Sequence, residues 1–276
     1  MSLTKQNLKD LLPSSTLLIN EICKDLTSKG KTIYQFGFGQ SPFPVPDSIV
    51  QALKNNAHQK DYLPSKGLLE LRKSISYFLI NKGYKNLNHD NIIIGPGSKE
   101  LMFLLQIAFD GEIILPVPSW VSYAPQAIIA KNKYHWIQTE KNTNWHISPE
   151  HIDKIASQIE SKNKLIILNS PNNPSGTNIH LLKELGEVFT KHNFTVLSDE
   201  IYSELYFKDN YKSISHFHKN TIVSSSLSKW AGAGGWRVGY FAVPNSLIEI
   251  FEKLAVLGTE TFSAVSAPSQ FAAITA

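Results

Sequence analysis

Cysteine is almost missing from this chain: Cys23 is the single one among 276 residues, so no disulfide can form within the chain and no thiolate cluster can hold a metal. Long apolar runs are missing too. No stretch approaches the ~18 residues of a membrane span, which excludes a membrane partner read from helices. The first residues, MSLTKQNLKDLLPSSTLL, mix charge with apolar side chains and lack the continuous apolar centre of a signal peptide. A cytoplasmic location is the resulting expectation. Arginine is scarce: of 27 basic residues only Arg72 and Arg237 are arginines. The net charge is +4, but the lysines are scattered rather than gathered into a stripe, which argues against a nucleic-acid partner. In a chain that uses lysine so freely, an arginine marks a place where a planar fork serves and a point charge does not.

What is present is a globular composition, 42% hydrophobic and 18% charged, over a length that can bury a large core. The first thirty residues read as a polar, partly helical arm, and residues 33–46 as an extended stretch rich in Gly and Pro. Short apolar runs then alternate with helical patterns. Strands are predicted at 91–95, 111–117, 133–139, 164–170, 194–199, 221–226 and 237–243. Helices are predicted at 98–109, 119–131, 148–162, 179–192 and 246–256, the third opening on a capping pattern at Ser148. Unalternating apolar strands separated by helices define an α/β fold, a mostly parallel central sheet covered by helices on both faces. In such sheets ligands sit beyond the carboxyl ends of the strands. Four segments fall there: GPGSKE (95–100), NSPNNPSGT (169–177), SDEIY (198–202) and SSSLSKWAGAGGWRVGY (224–240).

Each segment has a chemical reading beside a plain one. GPGSKE runs from a strand through glycines into a helix, so unpaired N–H groups and the helix dipole suit a phosphate. It lacks the third glycine of a dinucleotide fingerprint, and alone it reads equally as a tight turn. In 224–240 the glycines follow Lys229 instead of preceding it, so this is no P-loop. An amine whose pKa is lowered by desolvation or by a nearby cation such as Arg237 attacks carbonyls to form a Schiff base. Ser226, Ser228 and the glycine backbone beside Arg237 suit a phosphate. A loop that holds phosphate and offers an amine to an aldehyde fits pyridoxal 5'-phosphate; the plain reading is a solvated surface loop. Asp199 ends a strand where a carboxylate can face the cofactor's ring nitrogen, Glu200 beside it points elsewhere, and Tyr202 reaches the ring hydroxyl side. His216 and His218 share a strand face but have no third ligand nearby, so no metal site is expected.

NNPSG, SDEIY, SLSK and GWRVGY, in this order, resemble the pyridoxal-phosphate aminotransferases of fold type I, class I/II, over residue 35 to the end of the chain. The resemblance implies that Lys229 forms the internal aldimine and shuttles the proton. It implies that Asp199 faces the ring nitrogen, with Asn173 and Tyr202 on the ring hydroxyl. Ser226, Ser228, Arg237 and the turn Gly97, Ser98 and Lys99 would hold the phosphate. Trp120 would stack on the ring, and Asn173, Trp120 and Gly39 would face the substrate. Tyr62 would reach the phosphate of a neighbouring subunit, which implies a homodimer.

Implied too is a division into residues 1–45, an N-terminal arm with part of a small domain, and 46–276, a cofactor-binding large domain. The family's C-terminal lobe, with the arginine that grips the substrate carboxylate, is missing, and the final SAPSQFAAITA is expected to be an exposed apolar end. The activity implied is transamination of an α-amino acid with a 2-oxo acid. Two alternatives stand beside it: other pyridoxal-phosphate chemistry of a lyase type, or a truncated, non-catalytic cofactor-binding protein.

Overall fold

In the computed structural model, which describes residues 3–34, 36–37, 39–206 and 211–276, the chain builds a seven-stranded sheet between layers of helix. The elements run α1 (Ser15–Ser28), α2 (Asp47–Asn55), α3 (Leu69–Asn81), β1 (Ile92–Gly95), α4 (Ser98–Ala108), β2 (Glu112–Val117), α5 (Tyr123–Ala130) and β3 (Tyr134–Gln138). They continue α6 (Pro149–Ala156), β4 (Lys164–Asn169), α7 (Leu182–Lys191), β5 (Phe194–Asp199), β6 (Thr221–Ser226), β7 (Gly239–Ala242), α8 (Ile248–Thr261) and α9 (Ala267–Ala273). The strand order is β1-β7-β6-β5-β4-β2-β3. Only β7 runs against its neighbours. The sheet is therefore mostly parallel, and β1, β4, β5 and β6 all end at one edge.

The apolar strands are buried on both sides, as their lack of alternation requires. Ile93, Leu165, Ile167, Leu197, Ile222 and Phe241 pack on one face, with Leu101 and Leu105 of α4 and Leu254 of α8. Ile114, Ile166, Leu168 and Val196 pack on the other, against Ile152 of α6 and Leu185 and Phe189 of α7. Neither layer is free to slide, so the strand ends form a fixed platform.

All seven predicted strands are present. Several ends differ, for local reasons. The helix predicted at 119–131 starts at Tyr123, which puts Pro125 in the first turn, where its missing N–H costs nothing. The one predicted at 179–192 starts after Leu181, whose φ of 55° is left-handed. The strand predicted from residue 237 starts at Gly239, because Arg237 is left-handed at φ 58°. The helix predicted at 148–162 stops at Ala156, and its cap is the predicted one, with the Ser148 N–H donating to His151 Nδ1 at 3.1 Å.

Two expectations are corrected. The final run is not an exposed apolar end: α9 buries Gln270, Ala272 and Ala273, and Gln270 accepts from the Leu68 N–H at 2.8 Å and donates to the Val265 carbonyl at 2.8 Å. His216 and His218 do not share a strand. His216 ends a short 3-10 turn and packs on Tyr84, and His218 is buried, with Nε2 2.8 Å from the Phe194 carbonyl. Among the described residues no helix is long and apolar enough to cross a membrane, and no group of three or more His, Cys, Asp or Glu could hold a metal ion.

Candidate active site

At the carboxyl edge of the sheet, β5 delivers Asp199 as its last residue, almost fully buried. One carboxylate oxygen, Oδ2, accepts from the Tyr123 hydroxyl at 2.5 Å. The other, Oδ1, is buried with no hydrogen-bond partner. A buried carboxylate oxygen without a donor is costly, so its presence asks for a cationic or N–H partner. Burial pushes the Asp199 carboxyl up to about 6, against the pull of the Tyr123 hydrogen bond and of Lys229.

Lys229 follows β6 and approaches the same space. Its Nζ donates to the Gly39 carbonyl at 3.0 Å and lies 5.7 Å from the centre of the Tyr202 ring. Burial pushes the ammonium pKa down, Arg237 adds to this, and the Asp199 carboxylate opposes it. Desolvation and a neighbouring cation are the two influences that make a lysine amine more nucleophilic. Asn173 comes from the loop after β4, and its Nδ2 donates to the Tyr202 hydroxyl at 3.3 Å.

The third part is a cradle between β1 and α4. Gly97 is at φ 89°, and a Cβ there would sit 2.0 Å from an Arg237 terminal nitrogen. Only glycine lets the guanidinium come this close. Across the turn a Cβ on Gly239 would lie 2.2 Å from the Ser98 nitrogen. Arg237 is held by the carbonyls of Gly234 at 2.9 Å and Pro96 at 3.0 Å, which leaves the open N-terminal turn of α4 beside a fixed cation. Ser226, almost fully buried, accepts from the Ser228 N–H at 3.1 Å. Lys99 Nζ lies 5.4 Å from the Trp120 ring centre, and partial burial and then Arg237 push its pKa down.

Lys229, Asp199, Asn173, Tyr202, Gly39, Arg237, Gly97, Ser98, Lys99, Trp120, Ser226 and Ser228 thus line one region. Tyr62 is not brought in: its side chain is 92% exposed. Arg72, the other arginine, spends its fork on the carbonyls of Gly67 at 3.2 Å and His89 at 2.9 Å, a packing role. Two residues escaped the sequence reading. Tyr123, three positions after Trp120 in PVPSWVSY, supports Asp199. Asn169, at the head of NSPNNPSGT, donates from Nδ2 to the Asp199 carbonyl at 2.9 Å and accepts from the Asn173 N–H at 2.6 Å. Their signal was position: each lies inside a motif already singled out.

An orphaned buried carboxylate oxygen, a half-dried lysine and a glycine cradle under a guanidinium are the three contacts that pyridoxal phosphate requires at ring nitrogen, aldehyde and phosphate, so the residues fit that group. Family comparison agrees. The profile of "Aminotransferase class I and II" matches residues 31–276, and the chain belongs to this family of pyridoxal-phosphate-dependent enzymes, which transfer an amino group between an α-amino acid and a 2-oxo acid. It is 33% identical to an aspartate aminotransferase of Bacillus subtilis, over 96% of this chain and 69% of that protein. A solved aspartate aminotransferase of Thermotoga maritima matches with a TM-score of 0.89 and 26% identity, over 99% of this chain and 74% of its own. One from Thermus thermophilus matches with a TM-score of 0.91 at 24% identity, a likeness of fold, over 100% of this chain and 72% of its own. The chain spans about 70% of the length of these relatives. No observation favours the lyase-type alternative, and the family assignment supports an enzyme with transaminase activity.

Proposed function

We propose that the chain transaminates aspartate with a 2-oxo acid, with Lys229, Asp199 and Tyr202 as the catalytic residues. The substrate follows the relatives named aspartate aminotransferase, among them the one from Bacillus subtilis at 33% identity. When bound, pyridoxal phosphate supplies an aldehyde that bonds amines and a protonated ring that draws electrons from the adjoining carbon. Asp199 Oδ1 would face the ring nitrogen, with the Tyr123 hydroxyl fixing the other carboxylate oxygen and the Asn169 amide fixing the Asp199 main-chain carbonyl. Lys229 Nζ would be the amine that bonds this aldehyde and that a substrate amine displaces. Once displaced, its amine would be placed to accept the proton that leaves the substrate α-carbon. Burial pushes the Lys229 pKa down, the direction in which an amine becomes a better base near neutral pH. Asn173 and Tyr202 donate to the ring oxygen. Gly97, Ser98, Lys99, Ser226, Ser228 and Arg237 hold the phosphate, Trp120 covers the ring, and the Gly39 segment meets the substrate carboxylate.

We extend the proposal to a cytoplasmic homodimer in which exposed Tyr62 completes the neighbour's phosphate site, and to a boundary near residue 45 between an N-terminal arm with part of a small domain and the cofactor-binding large domain. The observation that carries the reading is the buried, partnerless Asp199 Oδ1 within electrostatic reach of a half-buried lysine. Borohydride reduction of the cofactor-loaded protein, followed by peptide mass spectrometry, tests it. The expected adduct sits on Lys229 and is lost in Lys229→Ala, with transamination falling on the order of 10⁴-fold. An adduct on another lysine, or full activity without Lys229, sinks the assignment.

A further inference from the structure

The two ends of the site described above are tied together by one short helix. Tyr123, in the first turn of α5, donates to Asp199 Oδ2 at 2.5 Å. Gln126, three residues on and therefore on the same helix face, donates from its amide Nε2 to the Lys99 carbonyl at 3.0 Å. Lys99 is the second residue of α4, in the turn assigned to the phosphate. Behind it stands a second buried amide: Gln106 of α4 donates from Nε2 to Gln126 Oε1 at 3.0 Å. Gln106 is fully buried and Gln126 nearly so. Two primary amides in an apolar interior are expensive unless their hydrogen bonds do something that apolar side chains would not.

The cofactor has a fixed length from ring nitrogen to phosphate. A site that grips both ends must hold Asp199 and the first turn of α4 at a matching separation. These two groups sit on different elements, β5 and α4, and share no direct hydrogen bond. Helix α5 bridges them: the Tyr123 hydroxyl fixes one end and the Gln126 amide fixes the other, with one helical turn as the spacer.

We propose that Gln126 is a positioning residue for the cofactor phosphate, holding the Gly97-Ser98-Lys99 turn in register with Asp199, and that Gln106 orients its amide. The inference rests on the reading of the site as a pyridoxal-phosphate site. Gln126 touches neither the cofactor nor the substrate; it acts through the Lys99 backbone. The consequence is selective. Loosening the turn weakens the grip on phosphate and leaves the grip on the ring, which belongs to Asp199, Tyr123 and Lys229.

The test compares binding of pyridoxal phosphate with binding of pyridoxal, which lacks the phosphate, by absorption titration of the full chain. Gln126→Leu is the first variant and Gln126→Met the second, should the first fail to fold. Asn132→Ala is the control, since Asn132 Nδ2 donates to the Gln106 carbonyl at 2.6 Å and joins α4 to α5 away from the cradle. In the Gln126 variants pyridoxal-phosphate affinity is expected to drop on the order of ten-fold, as for a buried acceptor that loses its donor, while pyridoxal affinity changes less than about two-fold. The control lowers the melting temperature and leaves the ratio of the two affinities unchanged. Equal losses for both ligands in the Gln126 variants, or no loss for either, overturn the proposal. A wild-type chain that binds neither ligand overturns the site reading itself, and this inference with it.

Discussion

Asp199 and Glu200 are neighbours at the end of β5, both carboxylates, both buried at 4% and 1% exposure, and they point to opposite sides of the strand. Glu200 is surrounded by hydroxyls. Ser198 donates to it at 2.7 Å, and Ser213, Tyr84 and Tyr211 also bond it. Asp199 has one hydroxyl donor, Tyr123, and an oxygen with none. Equal burial therefore hides unequal purpose. A carboxylate whose acceptors are filled by the protein joins segments: Glu200 ties the loop after α3 to the loop before β6. A carboxylate with an acceptor left open waits for something the protein does not supply. Between these two acids the unsatisfied atom, more than the depth of burial, separates the binding group from the structural one.

Exchange of each acid for its amide breaks the comparison most sharply. Asp199→Asn is expected to cut transamination on the order of 10³-fold, because a fixed charge facing the reacting ring is lost. Its melting temperature at neutral pH should hold or rise, since a buried, half-paired charge disappears. Gly97→Ala is next in size. A methyl group placed 2.0 Å from the Arg237 guanidinium has to push it aside, with cofactor affinity down by about ten- to a hundred-fold in an equilibrium titration. Tyr123→Phe removes one charge-assisted donor from Asp199, and steady-state kinetics should show a loss of about ten-fold.

Glu200→Gln is expected to change activity least. It should lower stability by ~1–3 kcal/mol in denaturant unfolding, because one donor loses its acceptor, with kcat per folded molecule nearly unchanged. The pH dependence sharpens the same contrast. Burial raises Asp199 from an ordinary 3.8 to about 6 and Glu200 from 4.5 to about 7. The folded protein then keeps protons that the unfolded chain has released. Stability of the cofactor-free protein from these two groups is greatest below the unfolded values and falls as pH rises through about 4 to about 7. Each amide variant should lose its own share of that slope in melting curves taken across this range.

Much of this was legible in the sequence, and unevenly so. The strands announced themselves because burial on both faces leaves continuous apolar runs such as Ile92, Ile93 and Ile94. Gly97, Trp120, Asn173, Asp199 and Lys229 stood out because each ends or follows a strand that ends at the same edge, whereas Gly39 and Tyr62, which precede β1, came from the resemblance alone. Helices α2 and α3 were not read as elements. Their N-cap positions hold Pro46 and Leu68, with no side-chain cap hydrogen bond to announce a start. The Arg237 turn was misread as strand, since Arg-Val-Gly-Tyr looks extended until the left-handed φ of its first residue aims the guanidinium at the cradle. The partners of Asp199 and Glu200 were hidden for a different reason: Tyr123, Tyr84 and Ser213 lie 76, 116 and 13 residues from the acids they serve. No local pattern encodes such pairings.

The most direct test of the account is the absorption spectrum of the protein reconstituted with pyridoxal phosphate, recorded for the wild type and for Asp199→Asn, before and after aspartate is added. The account predicts a visible band in the wild type that shifts on adding aspartate, and a marked weakening of that shift when the single unpartnered carboxylate is replaced. A wild-type spectrum that aspartate leaves unchanged, or an Asp199→Asn protein that responds as the wild type does, would contradict it.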